Sequence, residues 1–138
     1  IKLIKKYLEE VYYDDSKIDE DLVERYQSLC RREGNRRAFI YRMNTAHIDR
    51  SDELSKIKQK TLIQWGKHDK WIPYNVADSF ATSISHSVVK IYENAGHVPM
   101  EEIPEETVAD AIQFLQEDSP FHFPFIFANS QEVRRGNN

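Results

Sequence analysis

The apolar residues in the first third of the chain recur at the spacing of amphipathic helices. They form three stripes, over residues 1 to 13, 22 to 30 and 38 to 43. Asp19 has a side chain typical of a helix N-cap and stands just before the second stripe, which Gly34-Asn35 ends. The pattern predicts three helices before residue 46, followed by a polar connection.

The pattern changes after residue 60 to short apolar runs that are typical of buried strands. TLIQWG, at residues 61 to 66, and SVVKIYENAG, at residues 87 to 96, each end in a glycine. Helical stripes follow each run, and Pro104 takes a first-turn position in the second. This order of strand, helix, strand and helix predicts a parallel βαβα unit with a right-handed crossover, so the fold class is α/β. We expect the strands at about residues 61 to 65 and 88 to 92.

The composition is that of one globular domain, because 138 residues are enough to bury a core. The formal net charge is -4, so no basic surface indicates a nucleic-acid partner. No apolar run approaches the roughly 20 residues that span a bilayer, and no membrane partner is expected. Four clustered arginines are predicted to form a solvated face: Arg31, Arg32, Arg36 and Arg37.

A single cysteine, Cys30, excludes an internal disulfide and indicates a reducing compartment. We therefore predict a cytoplasmic location. Cys30 lies on the second helical stripe and is predicted to pack in the core. The chain begins with Ile1, and its only methionines are Met43 and Met100. We expect a truncated product, a processed chain or a proteolytic piece.

Two titratable residues follow the two predicted strands at their carboxyl ends. Asp69 comes shortly after Gly66, and His97 comes directly after Gly96. Reacting groups gather at this edge of open parallel sheets, so we expect the two side chains to lie within about 2.6 to 3.2 Å of each other. An aspartate in that position holds a histidine ring in one tautomer and stabilises the imidazolium that forms. The pair therefore suits general-base catalysis.

Other polar candidates have weaker support. A metal site would have to draw on residues whose spacing fits no ligand motif: His47, His68, Asp69, His86 and His97. We predict no metal and no cofactor. Three serines lie at the far end of the crossover helix and are predicted to form an ordinary turn: Ser83, Ser85 and Ser87.

The side chains around Asp69 have different expected roles. His68 is predicted to face solvent, and Trp65 is predicted to lie in the core. Trp71 either forms a wall of a substrate pocket or packs under its own loop.

The residues around Asp69 and His97 resemble the C-terminal half of the α/β-hydrolase superfamily. TLIQWGKHDKWIP matches the strand that ends in G-x-x-D and delivers the catalytic acid, at Asp69. NAGHVPMEEIP matches the next strand, which ends in G-H-x-P, at His97, with Glu102 and Pro104 at the trailing positions. The resemblance covers about residues 54 to 116. Lys60 departs from the proline that commonly precedes the first strand.

The resemblance and the phenylalanine-rich tail together divide the chain into three segments. Residues 1 to 50 are the end of a helical cap and a connecting helix, 51 to 117 are the C-terminal part of the hydrolase core, and 118 to 138 are an aromatic tail. The chain order of the superfamily is nucleophile, acid, histidine. The sequence has no G-x-S-x-G elbow, because its four glycines are far apart: Gly34, Gly66, Gly96 and Gly136. This chain alone is therefore expected to be inactive.

Two functions follow from these observations. The first is a cap-bearing, esterase-like hydrolase of a small, apolar ester or related substrate, in which Asp69 orients His97. The nucleophile is a serine or an aspartate from the missing upstream part of the parent protein. The expected protein partner is that N-terminal half or a second copy of the chain. The alternative is a non-catalytic binding or scaffold module of the same fold.

The tail carries alternating phenylalanines that would lie on one face of an extended segment: Phe121, Phe123, Phe125 and Phe127. Pro124 excludes a central strand position. We expect either a strap over apolar surface or a disordered end.

Overall fold

A computed structural model describes residues 2 to 46 and 48 to 117 of the protein. The helices and strands, in chain order, are α1 (Lys2–Val11), α2 (Glu20–Arg31), α3 (Asn35–Asn44), β1 (Thr61–Gly66), α4 (Val76–Ser83), β2 (Ser87–Tyr92), α5 (Pro99–Glu102) and α6 (Pro104–Gln116). Short 3-10 turns at Asp15–Lys17 and Ser51–Lys56 complete the order. The predicted tail lies outside the described residues.

The two strands pair in parallel, as predicted. Thr61 faces Ser87 at one end of the ladder, and Gly66 faces Tyr92 at the other. The helix α4 joins them, and α6 follows β2, so the α/β class and the βαβα order are confirmed. The sequence pattern did not predict α5, which is only one turn long.

The predicted helix ends match the structure. The Asp19 side chain accepts a hydrogen bond from the Leu22 N–H at 2.7 Å and so caps α2. Gly34 takes a left-handed conformation with φ of 86° between α2 and α3, where a residue without Cβ is favoured. The helix α6 begins at Pro104. Proline suits this position because the N–H groups of the first helical turn make no hydrogen bond within the helix.

The main buried cluster lies between α1 and α2. Leu8, Val11, Tyr12 and Val23 form it, and Val98 packs against it from the loop that carries His97. This packing places the loop after β2 directly on the end of α1. The predicted boundary between residues 1 to 50 and 51 to 117 remains a prediction.

Cys30 is exposed, so its predicted place in the core is wrong. The physical reason is that α2 packs mainly against α1 and α3, and α1 covers the face that contains Val23. The neighbouring helix α3 leaves its own apolar side chains exposed, including Phe39 and Met43. The four clustered arginines are exposed, as predicted.

In the described parts of the chain, no helix has both the length and the apolar character that crossing a membrane requires.

Candidate active site

The loops after the two strands continue side by side beyond the sheet. The Lys67 N–H donates to the Tyr92 carbonyl at 2.9 Å, and the His68 N–H donates to the Ala95 carbonyl at 3.0 Å. These bonds extend the parallel pairing past the ends of β1 and β2. They bring the loop of Asp69 against the loop of His97.

Gly66 and Gly96 are required where these loops meet because the backbones approach too closely for a side chain. A Cβ on Gly66 would lie 1.9 Å from the Gly96 carbonyl oxygen. A Cβ on Gly96 would lie 2.5 Å from the Val11 carbonyl oxygen. Among the described glycines only Gly34 has a positive φ. At Gly96 the close approach of the end of α1, rather than a positive φ, leaves no room for a side chain.

Asp69 and His97 are in direct contact. The Asp69 Oδ2 lies 2.8 Å from the His97 Nδ1, inside the predicted range. The other carboxylate oxygen accepts the backbone N–H groups of Trp71 and Ile72, each at 2.9 Å. The Asp69 side chain is 3% exposed and the His97 side chain is 29% exposed. The carboxylate is therefore fixed from both sides, and the histidine ring faces outward.

The hydrogen bonds keep Asp69 ionised. Burial by itself raises the pKa of the Asp69 carboxyl, but the bonds from Ile72, His97 and Trp71 outweigh it and lower the pKa below its usual value. An ionised carboxylate only accepts hydrogen bonds, so the His97 Nδ1 carries the proton in this contact. In the neutral ring, the lone pair then lies on Nε2.

The Nε2 of His97 makes no hydrogen bond to any described residue. No fully buried side-chain nitrogen or oxygen in the described ranges lacks a partner, so Nε2 is not fully buried. The site thus presents an unengaged basic nitrogen, backed by an ionised carboxylate. This arrangement can accept a proton from a hydroxyl group or a water molecule.

Trp71 lies beside the histidine ring. The two ring centroids are 5.1 Å apart, and Trp71 is 47% exposed. On its other side Trp71 contacts Tyr7 of α1, edge to face, at 5.1 Å. The predicted role of Trp71 as a wall of a substrate pocket stays a prediction. Tyr7 was missed from the sequence, because nothing in the helical stripe of α1 marks its contact with a residue so far along the chain.

His68 is exposed, as predicted, but its ring also stacks on Tyr13 with 3.8 Å between centroids. Trp65 is only partly buried: its ring packs near Phe80, and its N–H donates to the Ile72 carbonyl at 3.1 Å. Its predicted place in the core therefore holds only in part.

The other polar candidates do not join the site. The Ser83 hydroxyl donates to the Ser79 carbonyl inside α4, and the Ser87 hydroxyl donates to the Ile84 carbonyl in the turn that follows, opposite the Asp69 edge. His86 stands in that turn as well. Within the described ranges no three His, Cys, Asp or Glu side chains are grouped closely enough to hold a metal.

Glu102 is a further residue whose role the sequence did not reveal. Its buried carboxylate accepts the Gly96 N–H at 2.5 Å, next to His97 in the chain. The motif position of Glu102 was visible in the sequence, but its contacts were not.

Comparison with known proteins identifies the fold. Over 64 residues the chain is 41% identical to monoacylglycerol lipase ABHD6 of Mus musculus, covering 46% of this chain and 19% of the lipase. Over 118 residues it is 25% identical to the 2-hydroxy-6-oxo-6-phenylhexa-2,4-dienoate hydrolase of Comamonas testosteroni, covering 83% of this chain and 41% of that enzyme. No family model matches the sequence.

The structure is also similar to solved hydrolases. A meta-cleavage product hydrolase from Pseudomonas fluorescens IP01 superimposes with a TM-score of 0.74 at 17% identity, over 86% of this chain and 46% of that one. The chain spans less than half the length of the curated relatives that it matches. It carries the C-terminal part of the α/β-hydrolase fold. Its relatives in sequence include proteins named as a lipase, a methyl ester esterase and a dienoate hydrolase.

Proposed function

We propose that Asp69 and His97 are the acid and the general base of the catalytic triad of an α/β hydrolase. The observation that carries the proposal is the 2.8 Å contact between Asp69 Oδ2 and His97 Nδ1, which leaves Nε2 without a hydrogen bond to any described residue. The likeness in sequence to hydrolases supports it. The nucleophile is a serine or an aspartate outside these 138 residues.

In this mechanism each residue has a defined task. The His97 Nε2 removes the proton from a serine hydroxyl as it attacks the substrate carbonyl, or from water if the nucleophile is an aspartate. The Asp69 carboxylate stabilises the imidazolium through Nδ1–H and holds the ring in place. The oxyanion donors come from the segment that carries the nucleophile.

The proposed substrate is a small, apolar ester or a related acyl compound. Trp71 and Tyr7 support this, because their rings lie in contact beside His97 and Trp71 is partly exposed. In this role they form an aromatic wall along the acyl or alcohol group of the substrate. We also propose that the partner is the N-terminal half of the parent or a second copy. The location in the cytoplasm stays a prediction.

The test is ester hydrolysis by the full product of the gene, with p-nitrophenyl butyrate as substrate. His97→Ala and Asp69→Asn are expected to lower kcat by about 10³- to 10⁵-fold, while circular dichroism shows the fold intact. His86→Ala is the matched control, because His86 is exposed at the opposite end of the sheet. It is expected to retain wild-type turnover.

Two results would refute the proposal. Full activity in the His97→Ala protein would mean that the histidine is structural, as a binding or scaffold module requires. Robust hydrolysis by the purified 138-residue chain alone would mean that a nucleophile within it has been missed.

A further inference from the structure

We infer that Glu102 is a positioning residue, which sets the place of His97 by tying its loop to the end of α1. This inference rests on the proposed function of His97. Glu102 ends α5 and is only 3% exposed. A buried carboxylate is costly unless hydrogen bonds compensate it, so the contacts of Glu102 indicate what holds it there.

One carboxylate oxygen of Glu102 contacts the histidine loop. The Oε1 accepts the N–H of Gly96 at 2.5 Å, directly before His97. The His97 N–H donates in turn to the Val11 carbonyl at 2.8 Å. Two successive backbone N–H groups of the loop are therefore fixed by acceptors on two different elements.

The second carboxylate oxygen contacts the end of α1. The Oε2 accepts the N–H of Tyr13 at 2.8 Å and the N–H of Asp14 at 3.3 Å. The Lys17 ammonium donates to the Glu102 carbonyl oxygen at 2.5 Å. A single carboxylate thus joins the turn after α1 to the loop of His97, although they lie far apart in sequence.

The close packing around Gly96 restricts the backbone where Glu102 joins the turn after α1 to the loop of His97. A Cβ there would lie 2.9 Å from the Tyr13 nitrogen and 3.1 Å from the Glu102 Oε1. The backbone that carries His97 is therefore held where the ring meets Asp69. Because a displacement of about 1 Å in a catalytic group can cost about a hundredfold in rate, the position set by Glu102 matters for turnover.

Glu101 provides a matched comparison on the same turn. Its carboxylate accepts hydrogen bonds from side chains only, those of Tyr12 at 2.8 Å, Arg25 at 2.6 Å and Tyr26 at 3.1 Å. It therefore binds the helices without contacting the Gly96 N–H. Glu101→Gln removes the same charge from the neighbouring position and leaves the histidine loop with its acceptor.

The test compares Glu102→Gln with Glu101→Gln in the full product of the gene. A glutamine has one acceptor oxygen, so either Gly96 or Tyr13 loses its partner. We expect Glu102→Gln to lower kcat by about 10- to 100-fold with KM within about twofold. We also expect the NMR signal of the His97 Nδ1–H proton to shift or broaden. Glu101→Gln is expected to keep both kcat and that signal near wild type.

A folded Glu102→Gln protein with wild-type kcat and an unchanged His97 signal would overturn the inference. If Glu102→Gln does not fold, amide hydrogen exchange in the wild-type protein provides the test. Slow exchange of the Gly96 N–H supports its hydrogen bond to Glu102, and exchange as fast as in exposed loops contradicts the inference. The His97 signal is independent of activity. It therefore tests the positioning role even if His97→Ala proves active and the proposed function fails.

Discussion

At the scale of single residues, Asp69 accepts three hydrogen bonds while its side chain is almost fully buried. These bonds lower the pKa of its carboxyl in the folded protein, against the opposing effect of burial. A carboxyl whose pKa is lower in the folded state than in the unfolded state stabilises the folded state. The full effect is present at pH values above the unfolded pKa, which is about 3.9. This stabilisation is lost as the pH falls through the folded pKa.

We therefore predict that Asp69→Asn flattens the acid limb of the stability profile. The wild-type free energy of unfolding should fall as the pH drops below about 4, and the variant should lose less over the same window. Urea denaturation at pH 3 and pH 6 measures the difference. Asp52→Asn, on an exposed turn, is the control and should keep the wild-type slope. Equal slopes in the wild type and Asp69→Asn would contradict the prediction.

The Asp69–His97 contact was predictable from sequence, because parallel strands bring their carboxyl ends to one edge. The contact of Glu102 with Tyr13 was not, because the two residues are separated by 89 positions and no periodicity links them. The reason for Gly96 was also hidden. Its need for space depends on the path of α1, which the local sequence does not reveal.

At the scale of elements, β1, β2 and α6 are joined by a polar network. The Gln64 side chain donates to the Tyr92 hydroxyl at 2.7 Å, and that hydroxyl donates to Asp110 at 2.9 Å. Burial and the hydrogen bond to Asp110 are the main causes that raise the pKa of Tyr92 to about 12. The hydroxyl thus fixes the helix against both strands.

Tyr92→Phe is predicted to lower the free energy of unfolding by about 1 to 3 kcal/mol at pH 7, because it leaves Gln64 and Asp110 without this partner. The pKa of Tyr92 is higher in the folded state than in the unfolded state. The contribution of its hydroxyl to the free energy of unfolding is therefore present below about pH 10 and is lost as the pH rises toward 12. Denaturation at pH 7 measures the loss. Tyr41→Phe, on an exposed position of α3, is the control. Equal stability of the two variants would contradict the prediction.

The element boundaries followed from the sequence where capping or helix-breaking residues mark them, as at Asp19 and Pro104. The short helix α5 did not, because a single turn is too brief to show a periodic stripe. The stripe of α3 predicted a helix correctly but says nothing about which element covers it.

At the scale of the whole molecule, apolar surface is exposed among the described residues. On α3 and just after it, large apolar side chains face solvent: Phe39, Ile40, Tyr41, Met43 and Ile48. Within the described sheet β1 pairs with β2 alone, so each strand has an open edge there. Open edges and uncovered apolar faces favour association.

We predict that the 138-residue chain on its own self-associates, and that Phe39→Asp weakens the association by placing a charge in the apolar surface of α3. Sedimentation velocity measures both. Arg37→Asp, an exposed polar position on the same helix, is the control for the added acid. A compact monomer of the unmodified chain would contradict this prediction. Removing residues 118 to 138 tests whether the aromatic tail contributes.

The central claim is that Asp69 acts through His97, and a double-mutant cycle on ester hydrolysis tests it most directly. Residues that work as one unit give strongly non-additive losses. In the full product of the gene, Asp69→Asn combined with His97→Ala should lower kcat no further than His97→Ala alone. Losses that multiply in the double variant would contradict the claim, because Asp69 would then act independently of His97.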